Sequence, residues 1–135
     1  MDGKTDYIST SVEYPNVWYY ENKKNVNPYV NSWAVIFIDP ALLCEKSNTL
    51  FCPINSAASR GAYIKSGLES FKTLFDQRVG YRRRTSNMLN CCPTDDQAEV
   101  LIYKHIPWIY ATQPAEEDLF ALTNVCRAQL CSRDV

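Results

Sequence analysis

Residues 97–103, QAEVLIY, put a carboxylate in the middle of an otherwise apolar strand pattern. Successive side chains of a strand face opposite sides, so Gln97 and Glu99 share one face while Ala98, Val100 and Ile102 share the other. The apolar face must be laid on a core. The face that carries the charge looks either onto water from a sheet edge or into a site, and composition by itself favours the edge. Context favours the site. A glutamine precedes the glutamate by two positions on the same face, and residues 78–96, a stretch without apolar periodicity, lead directly into the strand. Irregular segments of that length usually signal function or mobility, and they carry substrate contacts when a rigid scaffold holds them.

The rest of the chain alternates strand and helix patterns. Residues 7–12 (YISTSV) alternate and are rich in β-branched and hydroxyl residues, which predicts an early strand with one buried face. Residues 14–20 (YPNVWYY) place Pro15 near a first helical position and pack four aromatics together, so a short helix or compact turn beneath a core is expected. Residues 33–38 (WAVIFI), closed by Asp39 and Pro40, read as a central strand. Residues 49–54 (TLFCPI) read as an edge strand or a strand end, because Pro53 has no amide hydrogen for a ladder. Residues 66–77 repeat apolar side chains at Leu68, Phe71, Leu74 and Phe75, with Ser66 as cap and Glu69 three positions on, the pattern of an amphipathic helix. A second such helix is expected over residues 115–130. Tyr103, Trp108 and Tyr110 are expected in the core.

With 135 residues the chain is the size of one compact domain, and residues 1–135 are taken as one. A net charge of −1 provides no global attraction to phosphate, so any nucleic-acid contact must come from a local basic patch. The six cysteines, Cys44, Cys52, Cys91, Cys92, Cys126 and Cys131, form no CxxC pair, and His105 is the single histidine, so no metal site is expected. His105, placed just after the strand, reads as structural or surface-exposed. The first residues, MDGKTDYIS, lack the apolar centre of a secretory signal, and the longest apolar run is far too short for a bilayer. The expected location is the cytoplasm, with reduced cysteines and no membrane association.

The stretch PTDDQAEVLIYKHIPWIY, residues 93–110, resembles the catalytic signature of the DarT-type ADP-ribosyltransferases, toxins that modify bases of single-stranded DNA. The segments DYISTSVEYPN (6–16), WAVIFIDPALL (33–43) and GLESFKTLF (67–75) follow in the order of that family. The resemblance implies an α+β, ADP-ribosyltransferase-like fold, in which small twisted sheets form a cleft with flanking helices. It implies NAD as co-substrate and no metal, Glu99 as the catalytic residue, and Gln97 as the first member of a Q-x-E pair. Ser9, Thr10 and Ser11 resemble the S-T-S element that supports the NAD site. The implied partners are single-stranded DNA, or RNA, and a macrodomain antitoxin. The chemistry suits a glutamate: departure of nicotinamide leaves a cation-like ribose, which a neighbouring carboxylate stabilises.

Arg78, Tyr81, Arg82, Arg83 and Arg84 lie just before the strand that carries Glu99. Arginines neutralise phosphates and a tyrosine face stacks on a base, which is how single strands are commonly held, although a charge run is as often a solvated loop. DarT proteins normally begin with a further segment whose histidine and arginine clamp NAD. Only Lys4 stands as a cation ahead of the first strand here, which leaves three readings: an N-terminally truncated domain from a fragment or a mis-started frame, a missing part supplied by a separate chain, or a domain that has lost catalysis and keeps a binding surface. Two functions follow from these readings. One is an enzyme that transfers ADP-ribose from NAD to a nucleic-acid base as a toxin or phage-defence effector. The other is a catalytically incomplete binding module, or decoy, that holds nucleic acid or an antitoxin.

Overall fold

The computed structural model describes residues 3–26 and 35–112. Its centre is a four-stranded antiparallel sheet assembled from β1 (Tyr7–Ser11), β3 (Leu50–Cys52), β4 (Lys65–Ser66) and β7 (Glu99–Tyr103), in the spatial order β1-β7-β3-β4. Two short ribbons flank it, one pairing β2 (Phe37–Ile38) with β8 (Ala111–Thr112) and one pairing β5 (Arg78–Val79) with β6 (Arg82–Arg83). The α-helices are α1 (Val17–Val26), α2 (Leu42–Glu45) and α3 (Leu68–Lys72), with α3 continuing into a 3-10 turn over Thr73–Phe75; two further 3-10 segments span Ala58–Gly61 and Trp108–Tyr110. The architecture is α+β, as expected.

The main hydrophobic cluster lies on one face of the sheet, while Leu101 and Cys52 are buried on the other. Phe51, Ala98, Val100 and Ile102 cluster with Leu42 of α2 and Leu74 of the 3-10 turn, and Phe71 and Phe75 close over them. Phe71 stands edge-on to both Phe51 and Phe75, at centroid separations of 5.4 and 5.3 Å, an arrangement that suits the charge distribution of aromatic rings. Ala98, Val100 and Ile102 share this face, as the alternation of the sequence requires.

Several elements differ from their sequence patterns for physical reasons. The expected central strand at residues 33–38 is reduced to Phe37–Ile38, and it pairs in a separate ribbon and not in the main sheet; residues 33 and 34 lie outside the described residues. Leu50–Cys52 takes the interior place between β7 and β4, and Pro53 stands just beyond its end, where no ladder hydrogen bond is required. β1 is an edge strand with no fully buried residue, and Ile8 remains 39% exposed, so the expected buried face does not form. Helix α1 starts two residues after Pro15. Its cap is Asn16, whose side-chain oxygen accepts the Tyr19 amide at 2.9 Å, and Trp18 and Tyr19 are exposed and not beneath a core.

Helix α3 is shorter than the pattern over residues 66–77, and its cap is not Ser66, which belongs to β4, but Gly67. Gly67 has φ +88 and ψ 165, a region open to glycine and strained for other residues, and its carbonyl accepts the amides of Ser70 and Phe71. Leu68 falls on the outer side of α3 and is exposed. Trp108 is likewise exposed, whereas Tyr110 packs against the core cluster. The helix expected at 115–130, with Cys126, lies outside the described residues, as does Cys131.

Candidate active site

Glu99 opens β7, the strand enclosed by β1 on one side and β3 on the other, so it does not stand on a sheet edge. Only 8% of it is exposed. A buried carboxylate is costly without a donor, and Ser9 supplies one: its Oγ donates to Glu99 Oε2 at 2.9 Å. The pairing register explains how. Ser11 stands directly opposite Glu99 and Ser9 opposite Leu101, so Ser9, Ser11 and Glu99 share the face opposite to that of Val100 and Ile102, together with the buried Leu101, and Ser9 reaches the carboxylate diagonally. Cys52 of β3 is opposite Glu99 on its other side. The site is therefore a carboxylate in the middle of a sheet, flanked by hydroxyls from an exposed edge strand.

The three hydroxyls of residues 9–11 divide their work. Ser9 reaches the carboxylate, Thr10 Oγ1 donates to the Val100 carbonyl at 2.8 Å and laces β1 to β7, and Ser11 Oγ accepts the Asn16 amide at 3.1 Å where the chain turns into α1. Gln97 lies in the turn before β7 and is half-buried. Its amide donates to Asp95 Oδ1 at 2.8 Å and its side-chain oxygen accepts from Asn55 Nδ2 at 3.4 Å. The Ala98 amide also bonds the Asp95 carbonyl, at 3.1 Å, so Asp95 fixes the entry into the strand. Asp95 and Asn55 were not singled out from the sequence; the only signal was their type, since Asx side chains commonly close turns on amides two positions ahead.

The basic segment is not the irregular loop that its composition suggests. Arg78–Val79 and Arg82–Arg83 pair through a two-residue turn, in which Gly80 takes φ +54 and Tyr81 stays at negative φ, the signature of a type II′ hairpin. The side chain of Tyr81 stands wholly in solvent at the tip. Arg78 Nε donates to the Gly80 carbonyl at 3.3 Å, and Arg82 approaches Asp96 at 3.7 Å as an exposed pair of little energetic weight. Arg83 is exposed. Arg84 is different: its guanidinium turns inward to the Cys92 and Leu89 carbonyls and to Thr94 Oγ1.

Beside the site, Cys91 meets the carboxylate of Glu13. Burial and then the charge of Glu13 push the Cys91 thiol up to about 11, which keeps it protonated near neutrality. Cys44, Cys52, Cys91 and Cys92 form no disulfide among the described residues. Among the described residues no cluster of three metal-ligating side chains occurs, and no helix is long and apolar enough to cross a membrane.

A profile of the DarT family, described as ssDNA thymidine ADP-ribosyltransferase, matches residues 4–113. The chain belongs to the DarT family. DarT proteins are NAD-dependent ADP-ribosyltransferases that act on thymidine of single-stranded DNA, and membership gives this chain that activity, with NAD as its co-substrate. The α+β arrangement of antiparallel sheets and helices is consistent with the DarT fold. The match favours the enzyme over the incomplete binding module. No curated protein matched the chain.

Proposed function

We propose that Glu99 is the catalytic carboxylate of this transferase and that Ser9 orients it. The supporting observation is the hydrogen bond from Ser9 Oγ to Glu99 Oε2, which holds an otherwise costly buried charge in one orientation on a face lined by hydroxyls. A carboxylate, two exposed serine hydroxyls and the half-buried Gln97 form a donor and acceptor set that suits a ribose, whose hydroxyls both give and accept hydrogen bonds. NAD supplies the ADP-ribosyl group and nicotinamide as its leaving group. Glu99 places a fixed negative charge beside the ribose carbon as positive charge develops there, and the same carboxylate is placed to take the proton that the acceptor base gives up. Thr10 keeps β1 in register with β7, so that Ser9 stays opposite its partner.

The acceptor is held, in this reading, by the β5–β6 hairpin. Arg78, Arg82 and Arg83 provide charge for the phosphates and Tyr81 a stacking face for a base. Residues 1–135 act as one domain in the cytoplasm, as a toxin restrained by a macrodomain antitoxin that removes the modification.

The test is Glu99→Gln, which keeps size and hydrogen bonding but removes the charge. A unit charge at about 4 Å in a protein-like dielectric contributes about 4 kcal/mol, so transfer to a thymidine-containing oligonucleotide should fall roughly a thousandfold with the fold intact. Transfer by Glu99→Gln at the wild-type rate would remove the assignment.

A further inference from the structure

Arg84 closes a ring of hydrogen bonds that no substrate contact explains. Its amide donates to the Gln77 carbonyl at 3.0 Å, which seals the base of the hairpin. Its guanidinium donates to the Cys92 carbonyl at 2.8 Å, to Thr94 Oγ1 at 3.3 Å and to the Leu89 carbonyl. Thr94, 4% exposed, continues the ring: its hydroxyl donates to the Asp76 carbonyl at 2.6 Å and its amide to the Leu74 carbonyl at 2.8 Å, which anchors it to the fully buried Leu74 of the 3-10 turn. From Thr94 the chain passes directly to Asp95, the residue that fixes the entry of Gln97 and Ala98 into β7. A planar fork with fixed donor directions can hold several acceptors of a loop at once; an ammonium cannot do so with the same geometry.

We propose that Arg84 is a positioning residue that fastens the acceptor-holding hairpin to the strand of Glu99, and that it thereby sets how the ADP-ribosyl group is divided between the DNA base and water. The proposal rests on the roles given above to Glu99 and the hairpin. In both outcomes the bond from the ribose carbon to the nicotinamide nitrogen breaks, and nicotinamide leaves with the electron pair. With DNA, the new bond runs from that carbon to an atom of the base, which loses a proton. With water, it runs to the water oxygen, giving free ADP-ribose and a proton. A base held out of line loses to water, which needs no orientation; a misplacement of about 1 Å costs on the order of a hundredfold.

The experiment measures modified oligonucleotide and free ADP-ribose in the same reaction for the full chain. Their ratio is independent of how many molecules are folded, because unfolded chains make neither product. Arg84→Ala should lower the ratio roughly tenfold to a hundredfold, Arg84→Lys should recover part of it, and Thr94→Val, which removes one of the three acceptors of Arg84 and the tie to Asp76, should shift it in the same direction. The salt dependence of oligonucleotide binding by Arg84→Ala should match the wild type. An unchanged ratio in both Arg84→Lys and Thr94→Val would overturn the proposal. So would a drop of about 0.7 in salt slope in Arg84→Ala, the mark of a side chain that pairs with a phosphate of a single strand. Retained transfer in Glu99→Gln would instead refute the underlying site, independently of what Arg84 does.

Discussion

Ser9 and Glu99 are 90 positions apart in the sequence and 2.9 Å apart across the strand pair. A hydrogen bond to a charged group contributes about 1.5–3 kcal/mol, so Ser9→Ala should reduce transfer by roughly ten- to a hundredfold. Ser11→Ala, which removes a hydrogen bond of the turn and leaves the carboxylate's donor in place, should reduce it less. Initial rates of oligonucleotide modification check both, and equal losses in the two variants would show that Ser9 has no special relation to Glu99. That the two serines differ was not legible in the STS string. Which hydroxyl meets a partner depends on the register with a strand far away in sequence, and register is a tertiary property.

The hairpin of residues 78–83 is an element that composition concealed. Strands of two residues are too short to show a period, and their arginines read as a loop; the one local clue was Gly80, which supplies the positive φ of the turn. Once formed, the ribbon turns a cluster of charges into an ordered surface, with Tyr81 at the tip and Arg82 and Arg83 exposed beside it. Each phosphate deprived of its arginine should lower the slope of log affinity against log salt by about 0.7 for a single strand. The Arg82→Ala, Arg83→Ala double variant should therefore bind an oligonucleotide more weakly and with a slope reduced by roughly 1.4. Fluorescence anisotropy over a salt series measures this, and a parallel slope at lower affinity would take the arginines off the backbone. Arg84, adjacent in sequence, behaves as interior structure because its side chain finds carbonyls instead of solvent.

For the molecule as a whole, the alternation of EVLIY was enough to read a strand and its two faces, whereas Gln97 and Ala98, read as part of it, belong to the turn that Asp95 closes ahead of β7. The pattern at residues 33–38 misled because an apolar run states that it will be buried but not against which neighbour. The charge of Glu99 was ambiguous on the same ground: whether a strand is edge or centre depends on partners that its own residues do not encode. Here β1 and β3 enclose it. Because β1 supplies one of the two neighbours of β7, deletion of residues 1–12 should expose backbone groups of β7 and abolish cooperative unfolding. Hydrogen exchange at the amides of residues 99–103 reads this directly, and wild-type protection in the shortened chain would contradict it.

The β1–β7 ladder also fixes when the sheet can close. During synthesis the serine emerges first and waits while some ninety further residues are made before its glutamate exists to receive it. On the proposed reading of Glu99, a chain halted anywhere in that interval still lacks its carboxylate, so transfer would start only once residue 99 has been made and paired with the strand that waits for it.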